Sequence, residues 1–312
     1  GQQLVDAVHG RSDALRFTRA VVRSLDSARA AAARFGLAAT TDYDSVLADP
    51  AIKGVVLATP HSQHAAQVQR AAAAGKAVFC EKPFTLTHGE AKAAASACAK
   101  AGVPLCLGFN RRFLASYREL QRRAAGGELG VLLHVEAFFG SNGGYRYTAG
   151  MWRASEAESP AGGMTGLGVH LLDAMIGLCG PVAAVRADSR KRGLIPIDDT
   201  TTAWLEFASG ATGSLVTLPA SAPGWHLRLS GGKGRGEMLG EERLALLGLD
   251  PPGSELAWPK ASTERAELEA FAAAIGGAAY AVPIADAVHG VAVLEAIVAS
   301  VARGGDKVAV ER

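Results

Sequence analysis

The sequence predicts an α/β chain: a doubly wound, Rossmann-type parallel sheet over the first third, followed by an α+β part with an open, largely antiparallel sheet. Three observations predict it. Short apolar runs alternate with Ala-rich helical segments through residue 107, strand-like runs follow one another directly after residue 182, and 312 residues exceed most single cores. We place a dinucleotide-binding domain at 1–108 and a substrate and oligomerisation domain at 109–312.

The first segment, 4–9, reads as the opening turns of a helix. A strand at 17–22, an Ala-rich helix at 26–35 stopped by Gly36, and a strand at 54–58 follow. Next come a helix at 62–74 closed by Gly75, a strand at 77–80, a helix at 88–101 closed by Gly102, and a strand at 103–107. Strands separated by helices of this length imply right-handed crossovers and parallel pairing. The first helix has no strand ahead of it. Gly1 stands where the last glycine of a GxGxxG turn would open that helix, so the sequence predicts that the central strand and the earlier glycines are missing. It follows that residues 1–312 alone should bind nucleotide poorly.

After Phe109 the pattern changes. A helix at 113–125, a strand at 131–139, a Gly/Tyr-rich loop at 140–150 and a helix at 165–178 are followed by strands at 183–188, 201–207, 211–218, 226–229, 236–239 and 243–247. Breaks such as Ala208-Ser209-Gly210 are hairpin-like, hence the antiparallel reading. Helices at 263–275 and 285–302 close the chain.

Composition bounds the function. Hydrophobic residues make up 49% and charged residues 20%, as in a compact globular protein. A net charge of +2, from 32 basic and 30 acidic side chains, creates no broad field for nucleic acid or anionic lipid. Cys80, Cys98, Cys106 and Cys179 lack CxxC spacing and suit reduced thiols, which predicts a cytoplasmic location. No uninterrupted apolar stretch reaches the ~18 residues that span a bilayer, and the N-terminus does not read as a signal peptide.

Ligands of open parallel sheets bind beyond the carboxyl ends of the strands. Thr59-Pro60-His61-Ser62 and Glu81-Lys82-Pro83 stand there. Thr59 and Ser62 suit either a ribose or pyrophosphate, or capping of the adjoining helix. His61 and His64 read as surface residues, with no metal role. After the second strand position, Arg23 and Ser24 suit a 2′-phosphate while Asp26 opens a helix, which favours NADP over NAD.

Four stretches together carry a family resemblance: Ala58-Thr59-Pro60 with His64, Ala74-Gly75-Lys76 leading to Cys80-Glu81-Lys82-Pro83, Gly108-Phe109-Asn110-Arg111-Arg112-Phe113, and Gly162-Gly163-Met164 through His170-Leu171-Leu172-Asp173. In this order they resemble the Gfo/Idh/MocA oxidoreductases. The resemblance implies hydride transfer between NAD(P) and a sugar, polyol or related hydroxy or keto compound, and a homo-oligomer, dimer or tetramer, paired through its open sheet. Alternatives are a nucleotide-binding sensor without turnover and an NAD-dependent glycoside hydrolase or lyase.

On this reading Lys82 and His170 handle the proton at the reacting oxygen. Asp173, three residues on, either orients a cation or sits in a buried ion pair. Gly1, Thr59, Pro60, His64, Glu81, Lys82 and Asn110 fall on the cofactor side with Arg23 and Ser24, Asn110 with interdomain bonding as its alternative; Glu81 is a counter-charge or ribose contact, and Pro83 follows a cis bond. Arg111, Tyr145, Tyr147, Trp152 and Arg153 are candidates to hold a polyhydroxylated substrate, or else pack the interdomain region and the loop. Many family members carry Asp four residues before this histidine; here Gly166 stands there, leaving the proton path to Lys82 and His170 or to another acid.

Overall fold

The computed structural model describes residues 1–250 and 252–311. Helix α1 (Gln2–Val8) leads into β1 (Arg19–Val21), α2 (Leu25–Phe35), β2 (Ala38–Thr40), α3 (Tyr43–Ala48), β3 (Gly54–Leu57), α4 (His64–Ala73), β4 (Ala77–Cys80), α5 (His88–Ala101) and β5 (Leu105–Leu107). Ser24, Asp42 and Thr87 cap the helices that follow them, each accepting a backbone N–H in the first turn. Gly36 and Gly102 end α2 and α5 in the left-handed conformation, as their positions in the sequence predict. β1 and β2 form one parallel pair, while β3, β4 and β5 form a separate parallel sheet with β4 in the middle. All four residues of β4 are buried, which explains its unbroken apolar run. β2 and α3 went unread because each is short and lies in a polar stretch around Thr40-Thr41-Asp42.

The remainder builds a nine-stranded sheet. After α6 (Ala115–Ala125) come β6 (Leu132–Gly140), α7 (Val169–Cys179), β7 (Val182–Arg190), β8 (Thr200–Phe207), β9 (Thr212–Leu218), β10 (Gly224–Gly231), β11 (Gly234–Leu239), β12 (Arg243–Gly248), β13 (Ser254–Ala257), α8 (Thr263–Ile275), α9 (Ile284–Ala302) and β14 (Val308–Ala309). The spatial order is β13-β12-β11-β10-β6-β9-β8-β7-β14. Every neighbouring pair is antiparallel except β6 and β9. Burial alternates along β8 and β9, so one sheet face meets the helices and the other is left to solvent.

Helix α9 has the length and hydropathy of a bilayer span, a match that Asp286 and Glu295 mask when only unbroken apolar runs are sought. In the fold it is a packing helix: Val291, Val293, Leu294 and Ile297 are buried in the main apolar core. Helix α8 returns to the parallel half, where Phe271 packs on Phe79 of β4 with ring centroids 5.8 Å apart. Tyr280, just beyond α8, donates its hydroxyl to the Leu107 carbonyl at the end of β5 (3.0 Å).

A buried ion pair fixes the junction of the two halves. The Arg112 guanidinium grips Asp173 with Nε to Oδ2 at 2.7 Å and Nη2 to Oδ1 at 2.9 Å, and also donates to the Asp173 carbonyl (2.8 Å) and to Asp286 Oδ2 (3.0 Å). Both pair members are about 3% exposed. Gly177, one turn beyond Asp173, leaves room for this guanidinium; a Cβ there would overlap it. Replacing one member of such a pair strands the other charge in the core. Asp173→Ala is therefore expected to lower unfolding stability by roughly 3–5 kcal/mol in a urea titration, and a loss under about 1 kcal/mol would contradict the role given to this pair.

Candidate active site

Three strand ends of the parallel half converge with one helix of the other half. β3 delivers Thr59 and Pro60, β4 delivers Glu81 and Lys82, and β5 delivers Asn110 and Arg111. The Lys82–Pro83 peptide is cis. His170 enters from the opposite side, in the first turn of α7, which follows a π-helical turn at Met164–Gly168.

Lys82 joins the two sides. Its Nζ donates to the Gly166 carbonyl at 2.6 Å. Helical carbonyls point toward the C-terminus, so the ammonium lies along the turn that carries His170. Burial draws Lys82 down to about 8, opposed first by Glu81 and aided by the positive charges of Arg153 and Arg111. His170 is pushed well below its ordinary value, by burial first and then by Lys82 and Arg111, so it is a neutral imidazole. Its Nδ1 is buried with no hydrogen-bond partner.

Arg111 lies across the same space. Its guanidinium stacks on Trp225 at 5.0 Å and on Phe139 at 5.7 Å, and the Phe139 ring also meets His170 at 6.2 Å. Nη1 donates to Asn110 Oδ1 at 3.1 Å and faces Glu241 at 3.5 Å.

Several open readings resolve here. Asp173 takes the buried ion-pair alternative, with Arg112 on both of its oxygens. His64 is fully buried and spends its ring on the backbone: Nδ1 faces the Pro83 and Phe84 carbonyls and Nε2 the Thr59 carbonyl. It staples two strand-end turns together. Asn110 is likewise engaged, its Nδ2 bound to Thr263 Oγ1 at 3.1 Å and its Oδ1 to Arg111, so it ties α8 to the site. His61, read as exposed, is 6% exposed; Nδ1 meets the Glu158 carbonyl at 2.8 Å and burial pulls the ring down to about 3.

Neither Thr59 nor Ser62 caps α4. Thr59 Oγ1 donates to Gln67 Oε1, and Ser62 donates both its amide and its hydroxyl to the Glu158 carboxylate. Trp152 stands edge-on to His61 at 4.8 Å, with the Arg153 guanidinium 4.0 Å above the indole. Arg153 is close enough for its charge to act on Lys82 and on the Gly1 amino group. This pair therefore covers the turn after β3. Tyr145 is exposed and anchored to the Ala220 carbonyl; Tyr147 is half-buried in the same loop.

The nucleotide side offers a compatible row. Gly1 sits at the N-terminus of α1, 3.6 Å from Ala58 at the end of β3 if given a Cβ. Arg23 is exposed beyond β1, and Ser24 uses its hydroxyl to cap α2. A dinucleotide laid across strand ends in this order meets backbone amides at α1, a cation at β1 and polar turns at β3 and β4, so the residues fit such a group.

Sequence reasoning missed Glu267. It is 1% exposed on α8, with Oε2 unpartnered, and burial raises its carboxyl well above the ordinary range beside Glu81 and Glu264. The signal was available: Glu267 falls in the helical stripe of Thr263, Phe271 and Ala274, where an apolar residue belongs.

A nucleotide-binding fold whose strand-end lysine meets a histidine from a second, sheet-built lobe defines the class. The chain belongs to the GFO/IDH/MocA oxidoreductase family: its NAD-binding Rossmann model matches residues 1–109 and its C-terminal domain model matches residues 117–237. The chain is 40% identical over 97 residues to scyllo-inositol 2-dehydrogenase (NAD(+)) of Bacillus subtilis, covering 31% of this chain and 28% of that one. It spans less than half the length of the first curated relatives it matches. In fold it is similar to an oxidoreductase of Desulfitobacterium hafniense described as NADPH-dependent, with a TM-score of 0.90, 23% identity, and coverage of 99% of this chain and 94% of that one. It is also similar to levoglucosan dehydrogenase in complex with NADH and levoglucosan, with a TM-score of 0.84, 23% identity, and coverage of 94% and 90%.

Proposed function

We propose that this protein is an NAD(P)-dependent oxidoreductase acting on a CH–OH group of a sugar, polyol or related hydroxy or keto compound. The observation that carries this reading is the Lys82 Nζ bond to Gly166, one helical turn before His170, which brings a depressed ammonium and a neutral imidazole to one place. The bound nicotinamide would supply the hydride acceptor or donor. His170, neutral and with a free Nδ1, takes the hydroxyl proton during oxidation and returns it during reduction. Lys82 holds the same oxygen through an N–H and stabilises charge on it. Glu81 balances that ammonium, and Trp152 with Arg153 screens the turn after β3 from water.

Lys82→Ala and His170→Ala are expected to cut kcat by at least about a hundredfold while nucleotide Kd moves only a few-fold. In the unsubstituted enzyme, reduction needs the ammonium, which is charged below its pKa, so kcat/KM should fall as pH rises through about 8. Absorbance at the nicotinamide band over a polyol and keto-sugar panel measures both. Near-normal rates in either variant remove that residue from the mechanism.

For the cofactor, the exposed Arg23 at the end of β1 favours NADP over NAD. Arg23→Ala should weaken NADP(H) binding about tenfold and leave NAD(H) within about twofold, as read by calorimetry. An equal loss for both nucleotides contradicts the preference.

The assembly we propose is a homo-oligomer in the cytoplasm, formed when a second copy covers the open face of the nine-stranded sheet. Trp204 is 43% exposed on that face, beside His134. Sedimentation velocity should show a dimer or tetramer that Trp204→Glu dissociates; a monomer at micromolar concentration rules the interface out.

A further inference from the structure

Four buried side-chain polar atoms have no hydrogen-bond partner among the described residues: Arg111 Nε, His170 Nδ1, Thr217 Oγ1 and Glu267 Oε2. Two of them, on Arg111 and His170, belong to residues that share the Phe139 ring. Thr217 lies beneath the π-helical turn, since a Cβ at Gly163 or Gly168 would meet its side chain at 3.3 or 2.9 Å. His170 follows that turn, Arg111 and His170 flank the same Phe139 ring, and Glu267 lies within electrostatic reach of Arg111 and Lys82. Buried polar groups in folded proteins are nearly always bonded, so such a cluster marks where a ligand's polar atoms complete the set.

The donors state what kind of ligand. Arg111 Nε can only donate, and Lys82 has two N–H groups beyond the one given to Gly166. Glu241 faces Arg111 through Nη1 at 3.5 Å, which leaves Nε open; Glu81 accepts from the Lys82 amide at 3.3 Å and Glu264 from Asn110 at 3.5 Å. None of these acids counts among the charges acting on His170, whereas Lys82 and Arg111 both do. The charges that reach the imidazole are those two cations. There is also room, because a Cβ at Gly166 would meet nothing within 4 Å.

We propose that the space beside Gly166, bounded by Lys82, Arg111 and His170, receives a carboxylate of the substrate, so that the enzyme prefers sugar acids of the uronic or aldonic type over neutral polyols. The inference rests on the oxidoreductase reading for its chemistry but not for its binding. Arg111 stacks on Trp225, which holds the guanidinium plane, and a guanidinium edge gives a planar carboxylate two parallel N–H···O bonds.

The test titrates glucuronate and gluconate against glucose and glucitol, with glucose 6-phosphate as a separate arm, at constant ionic strength and without nucleotide. Quenching of the protein's tryptophan fluorescence and calorimetry report Kd. The acids should bind at least about tenfold more tightly than their neutral counterparts, since hydrogen bonds to charged groups are worth that much or more. Arg111→Gln should bring the two classes within about twofold, and Gly166→Asp, whose side chain enters open space, should reverse the order. Equal binding of acids and neutral sugars, a stronger preference for the phosphate, or a preference surviving both substitutions overturns the proposal. Addition of NADP or NAD then separates it from the underlying reading. Acid preference without turnover leaves the carboxylate site and sinks the oxidoreductase, while turnover of neutral polyols without acid preference does the opposite.

Discussion

The Arg112–Asp173 pair is the constraint on which the site depends. Arg112 belongs to the turn after β5, and Asp173 to the helix that carries His170 three residues earlier. A two-point grip between planar groups fixes orientation as well as distance. Lys82 and His170 come from different halves of the chain, so their separation is set by this buried joint. Asp286 extends the joint to α9, and Gly177 lets the helix come close enough to close it.

Behind that joint, the site works through desolvation more than through ion pairing. Lys82 bonds to a neutral carbonyl at 2.6 Å, and the carboxylate that acts on it most, Glu81, does not outweigh burial. The charges acting on His170 are the cations Lys82 and Arg111. Both groups are therefore held toward their neutral states, the condition for exchanging protons near neutral pH. A carboxylate directly on Lys82 would undo this by stabilising the ammonium. Gly166, by offering its backbone oxygen and no side chain, preserves the lowered value.

Much of this was legible in the sequence, and the exceptions share a cause. Helix α8 falls at the expected 263–275, opened by the Ser262 cap and ended at Gly276. Lys82 and His170 stand out in the sequence because their chemistry is unusual where a strand ends and where an apolar helix begins. The partners of His64, Asn110 and Asp173 are not legible, because nothing local reveals the partner of a polar side chain. Their bonds go to residues 19, 153 and 61 positions away in sequence. β2, β13 and β14 are two to four residues long, and too few positions repeat for a period to emerge.

The segment between β6 and α7 shows how the two halves share the work of excluding water. Glu158 accepts both the amide and the hydroxyl of Ser62 and gives its carbonyl to His61, so the loop is bolted to the turn after β3 by three bonds. Trp152 then lies against His61, with Arg153 above it. On the other side α8 is fastened through Thr263 to Asn110, and on the third the π-helical turn is held by Lys82 itself. Each cover is attached to the parallel half by a polar bond at a strand end. The bonds that close the site also desolvate Lys82 and His170, so shielding from water and the shift in proton affinity have one structural origin.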